Sequence, residues 1–376
     1  MDKIRIIHIV SDDKFIDGPL NNFDKDDRFE NKAVMIIQKK NYQFKYIKNT
    51  ERIKLLYTRE MVKKELGRED YDAVFFYSLT NYKIFRHIPK NKIVIWWAWG
   101  FDIYGPERFI DIPLFKPKTE DYLKSINYSV AARIKNTLKG FPFVLTIRDG
   151  SRKSVLRRLD YFQPVIHTEF ELMQKNPGFN AKEFYYPKAH SFGNWFESEI
   201  PSHDDNVIIG HSATYTNNHL DVWNRVKDYI PKASIVYFPI NYGRIEYADF
   251  LTKSIQSKTS RIEFLKDFLP KDDYFKIVDS CSYAIYGVLR EAAMGNIYRC
   301  LAMGVKLFLY KDSVPYKYLS DLGCVVFAIE DIDENSFKIP LTKEQALKNR
   351  GCLIKEREMV DMVSEKAIAE MMDRIS

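Results

Sequence analysis

The residues able to do chemistry gather in a few short stretches. In WWAWGFDIYG, residues 96–105, Gly100 breaks an apolar strand and leaves Asp102 and Tyr104 just past its carboxyl end. A carboxylate beside Trp96, Trp97 and Trp99 is partly desolvated, which raises its pKa toward that of a general base. Asp102 is therefore the first choice for deprotonating an acceptor hydroxyl, and Asp12, just after the first strand, is the second. A capping Asp in an Asx turn is the competing reading of Asp102. A second stretch, SCSYAIYGVLREAAMGNIYRCLAMGVKLFLY at 280–310, reads as strand, loop, helix and strand. Its strands run from Ser282 to Leu289 and from Val305 to Tyr310, with turn chemistry at Met294-Gly295-Asn296 and a short helix from Ile297 to Met303. Gly304 falls where a helix end needs positive φ. A helix beginning beyond a parallel strand aims backbone N–H groups at the crevice and suits a diphosphate, to which Arg290 adds a charge-assisted contact. An ordinary strand–helix connection explains the same stretch. A third stretch, VIIGHSATYTNNH at 207–219, places His211, Ser212, Thr214 and Asn217 in a small hydroxyl-rich loop that a sugar-phosphate can approach.

These residues need rigid elements to hold them. IRIIHIV at the start, AVMIIQ, AVFFYSL (73–79) and KIVIWWAW (92–99) are near-continuously apolar, as in parallel strands covered on both faces. FVLTI (143–147) adds another strand, and TIRDG ends in a polar loop. Arg52–Leu66 reads as an amphipathic helix. Strands follow at 207–210, 234–240 and 262–264, alternating with helices at 220–229, 247–257 and 272–279. SIVYFPI ends at Asn241-Tyr242-Gly243, again on the crevice side. Tyr242 or Phe238 is positioned to pack on a nucleobase, or else belongs to the core. The polar run 201–206 is the best linker, dividing an N-terminal domain (1–200) from a second domain (206–341), and a charged helical tail (342–376) is long enough to cross back over the first.

At 376 residues two α/β domains are the expectation. Aromatics are 15% of the chain, which suits a carbohydrate- or nucleotide-handling surface and equally an aromatic core. No apolar run reaches the ~18–20 residues of a membrane span. The chain enters a strand at Ile4, so no signal peptide is read. Cys281, Cys300, Cys324 and Cys352 lack CxxC spacing and read as buried thiols in a reducing cytoplasm. The net charge is +7, and residues 131–160 alone carry +6: Arg133, Lys135, Lys139, Arg148, Arg152, Lys153, Arg157 and Arg158 against Asp149 and Asp160. Beside Phe141, Phe143 and Leu145, that segment suits anionic headgroups or a phosphorylated acceptor. A single basic cluster without a recognised motif argues against nucleic acid.

Two doubly wound, Rossmann-like domains facing a central cleft describe the α/β GT-B glycosyltransferase architecture. No DxD motif stands in a convincing loop setting, and Asp12-Asp13 and Asp272-Asp273 are plain DD pairs, so neither a metal nor a cofactor is expected. The chain resembles the TDP-N-acetylfucosamine:lipid II N-acetylfucosaminyltransferase family. The shared pieces are IHIVSDD, WWAWGFDIYG, TIRDG, FYYP, GHSATYTNNH, FPINYG with Tyr247, and CSYAIYGVLREAAMGNIYRCLAMGVKLFLY with VPYKYLSDLG, in that order over nearly the whole chain. The family's loop is more glycine-rich where this chain has Glu291-Ala292-Ala293-Met294, and the first domain here is longer. The resemblance implies inverting transfer from a TDP-linked amino-sugar to a polyprenyl-diphosphate-linked saccharide, by a protein peripheral on the inner face of the cell membrane. It gives weight to Asp102 and to the loop around Gly295. The mechanism then expected has Asp102 or Asp12 as base, with Ser212, Thr214, Arg290, Gly295, Asn296 and Ile297 around the leaving diphosphate. Tyr104, Arg148, Arg152, Lys153, Arg157 and Arg158 serve the acceptor or the membrane. A nucleotide-sugar 2-epimerase of the same fold and a non-catalytic polysaccharide-assembly protein are the other readings.

Overall fold

The computed structural model describes residues 3–13, 15–38, 40–79, 81–105, 108–126, 151–186, 195–257 and 260–376, with backbone alone at 151–153. The chain forms two compact units. One comprises Met1–Asp111, Val130–Ala189 and Glu358–Ser376, and the other Ile112–Ser129 and His190–Arg357. Residues 112–126, expected within the first domain, thus pack with the second. A buried carboxamide and a half-buried carboxylate hold them there. Asn218 accepts the Lys116 N–H at 2.8 Å, and Asp221 accepts the N–H groups of Lys118 and Thr119 and the Thr119 hydroxyl.

Unit 1 is built on β1 (Ile4–Val10), β2 (Phe29–Ile36), β3 (Ile53–Leu56), β4 (Ala73–Tyr77), β5 (Ile93–Trp97), β6 (Tyr161–Gln163) and β7 (Lys182–Glu183), in the order β3-β2-β1-β4-β5-β6-β7. Every residue of β4 and β5 is buried, as strands covered on both faces must be. All these pairs are parallel, with Ile9 opposite Val34 on one side and Phe76 on the other. The helix read over Arg52–Leu66 is in fact strand β3 followed by a helix from Arg59 to Leu66. Thr58 sets that boundary, since its side chain accepts the Met61 N–H as an N-cap. The strand FVLTI and the loop TIRDG lie outside the described residues.

Unit 2 carries β8 (Asp204–Ile209), β9 (Ile235–Pro239), β10 (Arg261–Leu265), β11 (Cys281–Tyr286), β12 (Lys306–Leu309) and β13 (Phe327–Ala328), in the order β10-β9-β8-β11-β12-β13. Its apolar core runs through Val207, Ile209, Phe238, Tyr247, Tyr283, Ile285 and Phe308. Helix Met294–Met303 joins β11 to β12 and ends at Gly304, whose φ of +80° fits the C′ position. The helix starts three residues earlier than the turn chemistry suggested. The left-handed residue is Ala293, at φ +60°, while Gly295 lies within the first turn.

Both sheets place consecutive strands on opposite sides of their first strand. The strand order therefore reverses between β1 and β4 in unit 1, and between β8 and β11 in unit 2. In open parallel sheets, ligands bind beyond the carboxyl ends of the strands at such a reversal.

Candidate active site

In unit 2 the reversal point lies between the loops that leave β8 and β11. Gly210 closes β8 at φ +72°, where a Cβ would stand 2.5 Å from His219 Nε2. The next residues, His211–Thr214, are shaped by Asn217, which is wholly buried. Its amide Nδ2 donates to Thr214 Oγ1 at 2.7 Å and to Ser212 O and Oγ at 3.1 Å, while its Oδ1 accepts the His211 N–H at 3.2 Å. Asn217 is thus the staple of this loop and does not face a ligand. Ser212 is also wholly buried and shares its hydroxyl with Thr214 at 3.0 Å. Of the two hydroxyls only that of half-buried Thr214 stands near the surface.

The loop from β9 joins this one. The Ala213 N–H donates to Tyr242 O at 2.7 Å and the Arg244 N–H to Ala213 O at 2.9 Å, a short parallel bridge. Gly243 is needed there, because at φ +115° a Cβ would meet Ala213 O at 2.5 Å. The bridge turns Tyr242 outward, 48% exposed, with its ring 6.2 Å from that of His211. Phe238 goes the other way. It has no exposed surface and stacks on Phe264 at 5.4 Å, so it is core and cannot hold a base.

On the β11 side, Gly287 admits Asn217 O, which would lie 2.4 Å from a Cβ, and its carbonyl accepts Asn218 Nδ2 at 2.7 Å. Asn218 itself is left-handed at φ +49°, a conformation asparagine tolerates better than most residues. The three loop ends are therefore interlocked. Beyond them the helix opens at Met294. The N–H groups of Asn296 and Ile297 turn back to Ala293 O, at 2.8 and 2.9 Å, whereas those of Met294 and Gly295 precede the first intrahelical bond. Gly295 is exposed, and nothing lies within 4 Å of where its Cβ would be. The side chain of Ile297 is wholly buried, so its place is in packing. Arg290 is half-buried, with its guanidinium donating to the Glu291 carbonyl at 2.5 Å.

Directly beneath this site, His219 is wholly buried, and neither ring nitrogen has a hydrogen-bond partner among the described residues. Burial, with a smaller contribution from His211, pulls its pKa down to about 3. It is held as a neutral ring.

Unit 1 disposes of both candidate bases in another way. Asp102 has no exposed surface. Its Oδ2 accepts the Leu79 N–H and the Trp96 indole N–H, both at 2.8 Å, and its Oδ1 accepts the Trp99 N–H at 2.8 Å. Burial raises its pKa, outweighing these donors, as expected from the tryptophans. The expected exposure at a crevice is corrected, however: the carboxylate is an internal brace between the ends of β4 and β5. The Leu79 N–H that it accepts follows Ser78, whose φ of +65° marks the β4 turn. Asp12 is likewise engaged, by the N–H groups of Lys45, Tyr46 and Ile47 at 2.6 to 3.0 Å and by the Tyr42 hydroxyl at 3.1 Å. Burial raises its pKa, but these four donors outweigh it and hold the group below the usual carboxylate range, ill suited to a base.

The acceptor-side residues are also redistributed. Tyr104 is 4% exposed and packs inside unit 1. Arg158 is drawn onto Pro89 O, Lys92 O and Asp160 at 2.6 to 3.2 Å, which leaves no free cation for a surface. Arg157 is exposed. Arg148 and the side chains of Arg152 and Lys153 lie outside the described residues. Sequence reading missed Asn218, Asp221, Ser78 and His219. The pair Asn217-Asn218 before a helix was the signal for the first of them.

No protein-family model matches the chain, and no curated protein matches it. Among solved structures 221 chains match. A trehalose-6-phosphate synthase, studied for glycosyltransfer with retention, aligns with a TM-score of 0.57 at 10% identity over 98% of this chain and 99% of that one. A glycosyltransferase from Rickettsia africae ESF-5 gives 0.54 at 9% identity, covering all of both chains. The E. coli structure described as trehalose-6-phosphate bound with UDP-2-fluoro glucose gives 0.54 at 9% identity, over 98% and 97%. At such identities the likeness is one of fold. The chain has the two-domain, Rossmann-like GT-B fold.

Proposed function

We propose that this protein is a glycosyltransferase that holds a nucleoside-diphosphate sugar at the β8–β11 reversal point of unit 2. The observation that carries this reading is the open helix start at Met294-Gly295, set beyond β11 beside an interlocked polar loop. Two backbone N–H groups and the positive end of the helix dipole suit a diphosphate, and the space above Gly295 admits it. In this reading Thr214 donates to the phosphates, Asn296 lies beside them, and Arg290 swings from the Glu291 carbonyl to neutralise the leaving group. Exposed Tyr242 supplies a stacking face for the base. Asn217, Ser212 and Gly243 position the loops without touching the donor.

The finer reading is a TDP-linked deoxyamino sugar transferred with inversion to a polyprenyl-diphosphate-linked saccharide. What supports it is the ordered set of segments shared with the N-acetylfucosaminyltransferase family. With Asp102 and Asp12 both turned into the fold, the acceptor proton leaves to some other group, and Asp102 acts as a positioning residue.

Gly295→Ala tests the donor site. A methyl group in open space on a helix leaves the fold as stable or raises stability by about 0.4–1 kcal/mol, while it obstructs the phosphates. The wild type should show a thermal shift with TDP-, UDP-, GDP- or CDP-linked ligands, growing with occupancy. The variant should keep its midpoint and lose most of that shift. An unaltered shift in a well-folded variant excludes this site, and a shift with UDP alone discards the TDP donor.

A further inference from the structure

The loop that follows β2 in unit 1 has a composition unlike its surroundings. From Ile37 to Thr50 the sequence holds four lysines and no acidic residue, interleaved with Tyr42, Phe44 and Tyr46. In the structure Lys40, Lys45 and Lys48 are exposed. Tyr42, Tyr46 and, from the neighbouring β1 loop, Phe15 are 39%, 44% and 58% exposed. Lys45 Nζ lies 4.9 Å from the centre of the Tyr46 ring, and Phe15 meets the edge of Trp99 at 6.5 Å.

Such a surface would usually be mobile, yet this one is built. Asp12 gathers its four donors from Tyr42, Lys45, Tyr46 and Ile47. Asp17 accepts the Lys48 N–H at 2.8 Å. Ile47 is driven into the core at 4% exposure, and Phe44 packs against the same cluster. Asp12 and Asp17 thus spend their charge on the loop's own backbone, Asp13 accepts the Phe15 N–H at 3.0 Å, and exposed Glu51 directly follows the loop. What faces outward is a set of ammonium groups and aromatic side chains, held at low conformational cost.

We propose that this clamped loop, with Phe15, is a docking surface for an anionic lipid bilayer. Tyrosine rings prefer the headgroup level, lysines reach phosphate while laying their methylene stems on apolar neighbours, and both are needed at one interface. The charge complementarity is with a phosphate-dense plane, since three exposed lysines stand among exposed aromatic rings on one loop. The surface deepens the lipid-linked acceptor reading, placing the protein where such an acceptor resides. It stands or falls separately from the donor site.

The test is co-sedimentation of the full chain with phosphatidylglycerol–phosphatidylcholine vesicles, with phosphatidylcholine vesicles as control. Wild type should bind the anionic vesicles at low salt and release as salt screens the charge. Each juxtamembrane lysine is worth about tenfold or somewhat less in partition, so Lys40→Gln, Lys45→Gln and Lys48→Gln together should lower binding about a hundredfold. Tyr42→Ser with Phe15→Ser should weaken binding while sparing its salt dependence. The nucleotide thermal shift, read on the same preparations, should not change, which separates this surface from the donor reading. Equal sedimentation of wild type and the lysine variant overturns the proposal, as does binding to single-stranded nucleic acid but not to vesicles.

Discussion

Asp102→Asn distinguishes a brace from a base, because the two roles predict opposite readouts. Oδ2 of Asp102 receives two N–H donors and Oδ1 one, all at 2.8 Å. An asparagine amide can keep its oxygen toward Leu79 and Trp96, but its NH2 then confronts the Trp99 N–H. One charge-assisted bond is lost and one buried donor is left facing another. The expected cost is about 2–4 kcal/mol, a drop of roughly 5–15 °C in the midpoint of a unit this size. Asp102→Ala, which orphans all three donors, should cost more and approach the whole stability of a domain. The assay is urea unfolding followed by tryptophan fluorescence, since Trp96, Trp97 and Trp99 all sit at this brace. Turnover is measured alongside at a temperature where the variant stays folded. The reasoning is refuted if Asp102→Asn unfolds at the wild-type urea concentration while kcat falls a thousandfold.

Other outcomes follow from unit 2. His219→Leu removes a ring that makes no hydrogen bond, so it should hold or raise stability at neutral pH. The folded pKa of His219 is depressed from 6.5 to about 3, so its contribution is present above pH 6.5 and is lost as pH falls toward 3. The variant should therefore flatten the acid side of a stability–pH curve by up to ~1.4 kcal/mol per pH unit, read as urea midpoints against pH. His8, pulled down to about 4 chiefly by burial, keeps its own share of that slope. Gly243→Ala should cost about 2 kcal/mol or more from strain at positive φ and the Ala213 collision. The nucleotide-induced thermal shift should shrink with it, because the β8 and β9 loops part.

Much of the fold was legible because parallel strands announce themselves. AVFFY and IVIWW are apolar without alternation, and nothing but two covered faces accounts for that. The site was legible as loops and less so as residues. Composition placed His211–Thr214 and Arg290–Ile297 at strand ends, but it could not say which side chains turn inward. Asn217, just past the first of those loops, and Asp102, past the end of β5, are polar yet internal, because backbone N–H groups there needed acceptors. Gly295 drew attention as a turn residue, whereas Ala293 carries the positive φ. Local propensity yielded there to the path between β11 and its helix. The clamped lysine loop was readable in composition, but its rigidity depends on Asp12, some thirty residues away in sequence.

Ala367, Ile368 and Met371 belong to the same apolar cluster as Ile4 and Ile6. The core begun by β1 is therefore completed by the segment Glu358–Ser376, which follows the whole of unit 2 along the chain. Until then unit 1 must wait with part of its apolar surface uncovered, while unit 2, whose segments end at Arg357, can finish earlier. Domain order along the chain and order of maturation are in this way reversed. A chain truncated after Arg357 should present a protease-resistant second unit and a still-cleavable first.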